Sequence, residues 1–140
     1  MCARVRVGVL AAVVALLVPA IASAKVRIHI DLGSQRMHVT SASGSYSWPV
    51  STARRGYRTP RGVFAARGLQ RMHYSSKYDN SPMPHSIFFS GGYAIHGTYA
   101  TGSLGRPVSH GCVRLSPGHA AMLYDMVRRE GARISIGGGR

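Results

Sequence analysis

Residues 96–115 read His-Gly-Thr-Tyr-Ala-Thr-Gly-Ser-Leu-Gly-Arg-Pro-Val-Ser-His-Gly-Cys-Val-Arg-Leu, with two of the chain's seven histidines and one of its two cysteines. A glycine follows each histidine. This combination suits thiol acyl transfer. A thiol attacks as thiolate and needs a base or a positive neighbour, while glycines let backbone N–H groups approach a reacting carbonyl. If Ser109 to Leu115 is extended, alternation places His110, Cys112 and Arg114 on one face and Val113 and Leu115 on the other. The thiol would then lie between two potential cations.

Working outward, the chain on both sides reads mainly as β-structure. Val26, Ile28 and Ile30 alternate with Arg27, His29 and Asp31, the pattern of a half-buried strand. Leu32 to Gln35 is a turn, Met37 to Thr40 the return strand, and Ser41 to Ser45 a second connection. Tyr46, Trp48 and Val50 alternate on a third strand, which completes a meander. Ala53 to Pro60 reads as a loop and Val63 to Ala66 as a short strand. Gly68 to Ser86 carries no clear period and reads as a long irregular loop, the kind that is usually functional in a compact domain. Its Tyr78 and Met83 are candidates to line a substrate cleft. Ile87 to Phe89 and Tyr93 to His96 are apolar strands, so His96 falls at a strand end. After Leu115, Ser116 as N-cap, Pro117 at the first helical position and Gly131 past the end define a helix. Its Ala120, Leu123, Met126 and Val127 share one face. Ile134 and Ile136 belong to a last strand.

The first 24 residues read differently. Arg4 and Arg6 precede an apolar run from Val7 to Val18, and Ala22-Ser23-Ala24 is a small-x-small site. The segment 1-24 therefore has the pattern of a secretory signal peptide, with a domain at 25-140. The run is shorter than the roughly 20 apolar residues of a spanning helix, so membrane contact is expected only during export. Cleavage would remove Cys2 and leave Cys112 as the sole thiol, with no internal disulfide to form. The 140-residue chain carries 18 lysines and arginines against 4 acids, formally +14. Loss of Arg4 and Arg6 leaves a net of about +12. Such a surface attracts polyanions. Export and the lack of any recognition-helix or RNP-like pattern argue against nucleic acid, leaving wall polymers and anionic envelope surfaces.

The order Ile-His-Gly-Thr, spacer, Ser-His-Gly-Cys-Val-Arg-Leu resembles the active-site signature of the L,D-transpeptidase (YkuD-type) catalytic domain. Ser51-Thr52-Ala53, Thr59-Pro60-Arg61-Gly62-Val63-Phe64 and Met83-Pro84 resemble further landmarks of that family in the same order, so the resemblance spans the chain after residue 24. It implies a small mixed-sheet β-sandwich with one helix after the active-site strand. It also implies a peptidoglycan enzyme of the periplasm or cell wall that needs no cofactor. Cys112 would take an acyl group from a tetrapeptide stem, releasing D-alanine. An amine of a second stem or of an envelope protein would accept it. The resemblance implies carbapenem acylation of Cys112 as well.

For the residues, it implies His96 as general base, with the carbonyl of Gly97 orienting the imidazole. No acid lies nearby in sequence to do so. His110 either helps activate the thiol or holds the loop. Gly111 and Cys112 would offer N–H groups to the oxyanion, and Arg114 a fork for a stem-peptide carboxylate. Ser109 is a loop-bracing or substrate-side hydroxyl. The family's other branches carry Asn where Arg114 stands, so substrate contacts do not transfer directly. Three readings compete with transpeptidation: hydrolysis of the same thioester by a carboxypeptidase or amidase, a non-catalytic cationic wall-binding domain, and a zinc site from His96, His110 and Cys112. The zinc site lacks a fourth ligand and the usual spacings.

Overall fold

The computed structural model describes residues 7–17 and 25–139. Residues 7–17 are exposed and carry no helix or strand. The charged leader at Arg4 and Arg6 and the Ala22-Ser23-Ala24 site lie outside the described residues. No helix among the described residues is long and apolar enough to cross a membrane.

The meander expected from the N-terminal half is present as β1 (Val26–Asp31), β2 (Arg36–Ser41) and β3 (Gly44–Pro49). Each strand turns one row of side chains inward: Val26, Ile28 and Ile30, then Met37 and Val39, then Trp48, all buried. The short β4 (Gly62–Ala65) and the last strand, β9 (Ala132–Gly137), complete a five-stranded sheet in the order β3-β2-β1-β9-β4. β9 runs parallel to β1 and antiparallel to β4, with Ile28 in register with Ile134. The last strand therefore lies inside the sheet, between β1 and β4.

The second sheet is β5 (Gly68–Tyr74), β6 (Pro82–Ser90), β7 (Tyr93–Gly97) and β8 (Val113–Leu115), in that order. It corrects the reading of Gly68 to Ser86 as an irregular loop, because most of that stretch is a hairpin closed by residues 75–81. Two features hid it. β5 is half-buried at best, so its side chains do not alternate in polarity. β6 carries Pro82 and Pro84, which argue against a central strand. The pairing of β6 with β7 begins only at Ile87, so both prolines lie in an overhang bonded on one side.

The helix α1 (Pro117–Glu130) packs on β6, β7 and β1. Ala120, Leu123, Tyr124, Met126 and Val127 are its buried residues, and they join Ile87, Phe89, Ile95, Val113 and Leu115 of the second sheet in one core. Fully burying a side chain of this size stabilises by about 1.5–3 kcal/mol. Ser116 caps the helix by accepting from the His119 N–H at 3.3 Å. Gly131, at φ 70°, ends it with its N–H on Val127 O and leads directly into β9. Ser116→Ala should lower stability by about 1 kcal/mol in urea unfolding. The helix start anchors the strand that follows the cysteine, so this cap also serves the site.

Candidate active site

β7 and β8 are neighbouring parallel strands, with Ile95 in register with Val113 and His96 with Arg114. Partners in register share a face, and Cys112 alternates with Arg114. His96, Cys112 and Arg114 consequently open into one cavity of about 760 Å³, together with Tyr78, Met83 and His110. The volume lies within the usual range for a small-molecule or peptide site. Of the expected extended run, only Val113 to Leu115 is strand; Gly111, at φ 141°, bends the chain before it.

His96 is 6% exposed, and its Nδ1 lies 2.7 Å from the carbonyl oxygen of Gly97. A carbonyl only accepts, so Nδ1 carries the proton and Nε2 keeps a lone pair. Burial lowers the His96 pKa from 6.5 to about 4, against the raising effect of the Gly97 bond, with Arg114 adding to the fall. The ring is neutral near pH 7. Burial also pushes the Cys112 thiol up, offset in part by the Ala94 N–H, 3.4 Å from the sulfur, and by Arg114. The resting pair is thus neutral thiol and neutral imidazole rather than an ion pair. The folded-state pKa of His96 is depressed, so the unfolded chain binds its proton more readily between pH 6.5 and 4. The associated stability is complete above pH 6.5 and is lost as pH falls through about 4, a loss of up to about 3 kcal/mol. Urea unfolding between pH 7 and 3.5 should show it, with a shallower acid limb in His96→Gln.

The expectation of a thiol between two cations is corrected at His110. Its ring stacks on Tyr78 at 4.0 Å and 14° and meets the edge of Tyr57 at 4.8 Å. Burial and the charges of Arg54, Arg114 and Lys77 lower its pKa, so it too favours the neutral form. Arg114 remains as the cation beside the thiol. Its backbone is bonded at both ends to Ser51, N–H to O at 2.9 Å and O from N–H at 3.0 Å. Among the described residues its guanidinium enters no salt bridge.

Two further expectations change with the loop's internal bonds. Ser109 is fully buried, and its Oγ donates to Cys112 O at 2.6 Å while accepting from the Gly111 N–H at 3.0 Å. Its hydroxyl braces the loop at the wall of the cavity. The Gly111 N–H, expected at the oxyanion, is engaged by that same hydroxyl.

The sequence reading quoted Thr52 and Thr59 as landmarks of the resemblance and placed Gln35 in a turn, but it assigned none of them the role they have here, holding this loop from behind. Thr59, 4% exposed, accepts from the Ala53 N–H at 3.0 Å and donates to Gly111 O at 2.9 Å. Buried Gln35 donates to Thr52 Oγ1 at 2.7 Å and accepts from the Thr52 N–H at 2.9 Å. Arg54 N–H donates to Ser109 O, and Ser109 N–H to Thr52 O, both at 2.9 Å. The signal was the place of Thr52 and Thr59 in those landmarks, with no contact written into the spacing. Thr59→Val keeps the shape and leaves the part-buried Ala53 N–H and the buried Gly111 O unpaired. It should cost about 1–3 kcal/mol of stability by urea unfolding.

The L,D-transpeptidase catalytic domain profile (YkuD) matches residues 25–136. The chain belongs to the L,D-transpeptidase catalytic-domain family. Similar solved structures include an L,D-transpeptidase from Mycobacterium smegmatis, 27% identical with a TM-score of 0.72, covering 81% of this chain and 58% of that one. Another, from Stackebrandtia nassauensis, is 28% identical with a TM-score of 0.73, covering 85% and 58% respectively. A third, from Xylanimonas cellulosilytica, is 29% identical with a TM-score of 0.68, covering 82% and 61%. The chain thus spans about three-fifths of the length of these YkuD relatives. No curated protein matches it. The two mixed sheets and single helix described above are the YkuD-like fold.

Among the described residues no three His, Cys, Asp or Glu side chains are grouped to hold a metal ion.

Proposed function

We propose that this YkuD domain is a peptidoglycan L,D-transpeptidase using Cys112 as nucleophile and His96 as base. The observation that carries the reading is that an imidazole with its tautomer fixed by Gly97 O opens, on the adjacent parallel strand, into the cavity that holds the only free cysteine among the described residues. As the thiol sulfur bonds to the carbonyl carbon of the third stem residue, its proton passes to His96 Nε2. The tetrahedral oxyanion forms against the Cys112 N–H. Collapse breaks the amide bond, His96 returns the proton to the departing D-alanine nitrogen, and a thioester remains. An amine from a second stem, or from an envelope protein, attacks that carbonyl and gives its proton to His96. The thiol is regenerated. Gly111 and His110 fix the loop, Arg114 offers its unpaired guanidinium to a substrate carboxylate, and Tyr78 and Met83 wall the cavity. A signal peptide at residues 1–24, removed on export to the periplasm or wall, completes the proposal; N-terminal sequencing of the secreted protein checks it.

The test is incubation with purified sacculi and tetrapeptide muropeptides, read by mass spectrometry against Cys112→Ala. Dimers joined between third residues, absent from the control, are the expected products. Tripeptides without dimers would replace the transferase by a carboxypeptidase. Products identical to those of the control, from folded wild type, would leave a wall-binding domain.

A further inference from the structure

The outer face of the five-stranded sheet carries a second concave site that shares no residue with the catalytic cavity. It is a shallow hollow of about 350 Å³ over β1, β2 and β9, lined by Arg27, His29, His38, Thr40, Arg133 and Ser135. Five of these six are exposed and Ser135 is half-buried. The register explains the clustering: Arg27 lies beside Arg133 on one side and Thr40 on the other, and His29 beside Ser135 and His38. His29 Nδ1 is 2.9 Å from Ser135 Oγ, and the two imidazoles are stacked at 6.3 Å.

Two like charges side by side on adjacent strands destabilise a sheet unless something neutralises them. Among the described residues nothing does so. Asp31 is the only acid on these three strands, and its carboxylate is turned into its own turn, accepting from the Gly33 N–H and the Ser34 hydroxyl. Arg36, opposite Asp31, bonds Ser47 instead. Among the described residues the only salt bridges are those of Asp125 with Arg128 and Arg129, on the helix. Among the described residues Arg27 and Arg133 therefore stand as two guanidiniums without a counter-ion, flanked by His29, His38 and the Thr40 hydroxyl, while the Ser135 hydroxyl is engaged by His29 Nδ1 and Ile28 O.

We propose that this face binds a linear phosphodiester polymer of the cell envelope. Paired guanidiniums suit phosphate oxygens. Neighbouring strands lie about 4.8 Å apart, so a second row of donors meets a second oxygen or the next phosphate. Ile28 also lines the hollow but is buried in the core, so no large apolar side chain is offered for insertion between lipids, which favours a polymer over a bilayer. Engaging the polymer here leaves the catalytic cavity open, so one domain is held on the wall while its cysteine faces stem peptides. The choice of an envelope polymer rests on the proposed export, while the charged face itself stands independently of the reaction assigned to Cys112.

The test measures binding of the full chain to poly(glycerol phosphate) as a function of salt, beside phosphatidylglycerol vesicles and duplex DNA at equal phosphate concentration. R27S/R133S should weaken polymer binding at least about 10-fold near 0.15 M salt, and lower the salt slope by about 1.5. The control R67S/R71S, with Arg71 on β5 and Arg67 just before it, should change it less than about 3-fold. Should the double variant not fold, R27S and R133S singly are each expected to give part of the loss. Each should raise the melting temperature by relieving the repulsion, a change a structural role would reverse. Unchanged polymer binding in the double variant, an equal loss in the control, or tighter binding to vesicles or DNA would each overturn the proposal.

Discussion

Cys112→Ala is expected to reduce transpeptidation at least about 10⁴-fold, because without the sulfur no thioester forms and the cavity holds no second nucleophile of comparable strength. The fold should survive. The thiol is only partly buried and its contacts are weak, 3.4 Å from the Ala94 N–H and 3.9 Å from Gly92 O. Intact mass after incubation with a carbapenem reads the same chemistry independently, with an adduct on the wild type and none on the variant. Retained dimer formation by Cys112→Ala would end the thioester route. The resting electrostatics add a pH expectation. With the thiol pushed up by burial and His96 lowered to about 4, proton transfer occurs during attack rather than before it. Activity should then fall as pH drops through about 4, where His96 becomes protonated and can no longer accept. A loss of activity already complete at pH 6 would instead show that the base is not held near 4 by burial.

How far the sequence revealed this site depends on how local each contact is. β1 to β3 and α1 were legible because alternation and capping are written into consecutive residues, as in Val26, Ile28 and Ile30, or Ser116, Pro117 and Gly131. The β5–β6 hairpin was not, since its half-exposed first strand has no clean period and the prolines of its second lie in an overhang that only the sheet defines. The same division holds at the site. Gly97 O as the partner of His96 Nδ1 is a contact between adjacent residues, whereas the bond from Thr59 to Gly111 spans 52 positions. The depressed basicity of His96 and His110 comes first from burial, a property of the packed cavity that no spacing carries.

Gly111→Ala is expected to lose about 2–6 kcal/mol of stability and most of the activity of whatever remains folded. At φ 141° the backbone is outside the range an L side chain tolerates, at a cost of about 1–3 kcal/mol. The added methyl would also stand 2.5 Å from Tyr93 Cε1 and 2.9 Å from Arg58 O. The tyrosine ring can swing, but the Arg58 carbonyl belongs to the backbone of the 53–60 loop, and crowding of this kind costs about 1–3 kcal/mol more. Relief by moving Gly111 would stretch its bonds to Ser109 Oγ and Thr59 Oγ1, which fix the residue before the nucleophile. A displacement of about 1 Å at a reacting atom can lower a rate about 10²-fold. Adding Tyr93→Ala separates the two sources. The double variant should recover the part due to the ring and keep the part due to φ and Arg58 O, leaving its urea midpoint between those of Gly111→Ala and Tyr93→Ala. If Gly111→Ala alone kept both the wild-type midpoint and the wild-type rate, the loop could not be held as its hydrogen bonds and φ require. His96 and Cys112 would then owe their alignment to the β7–β8 ladder alone.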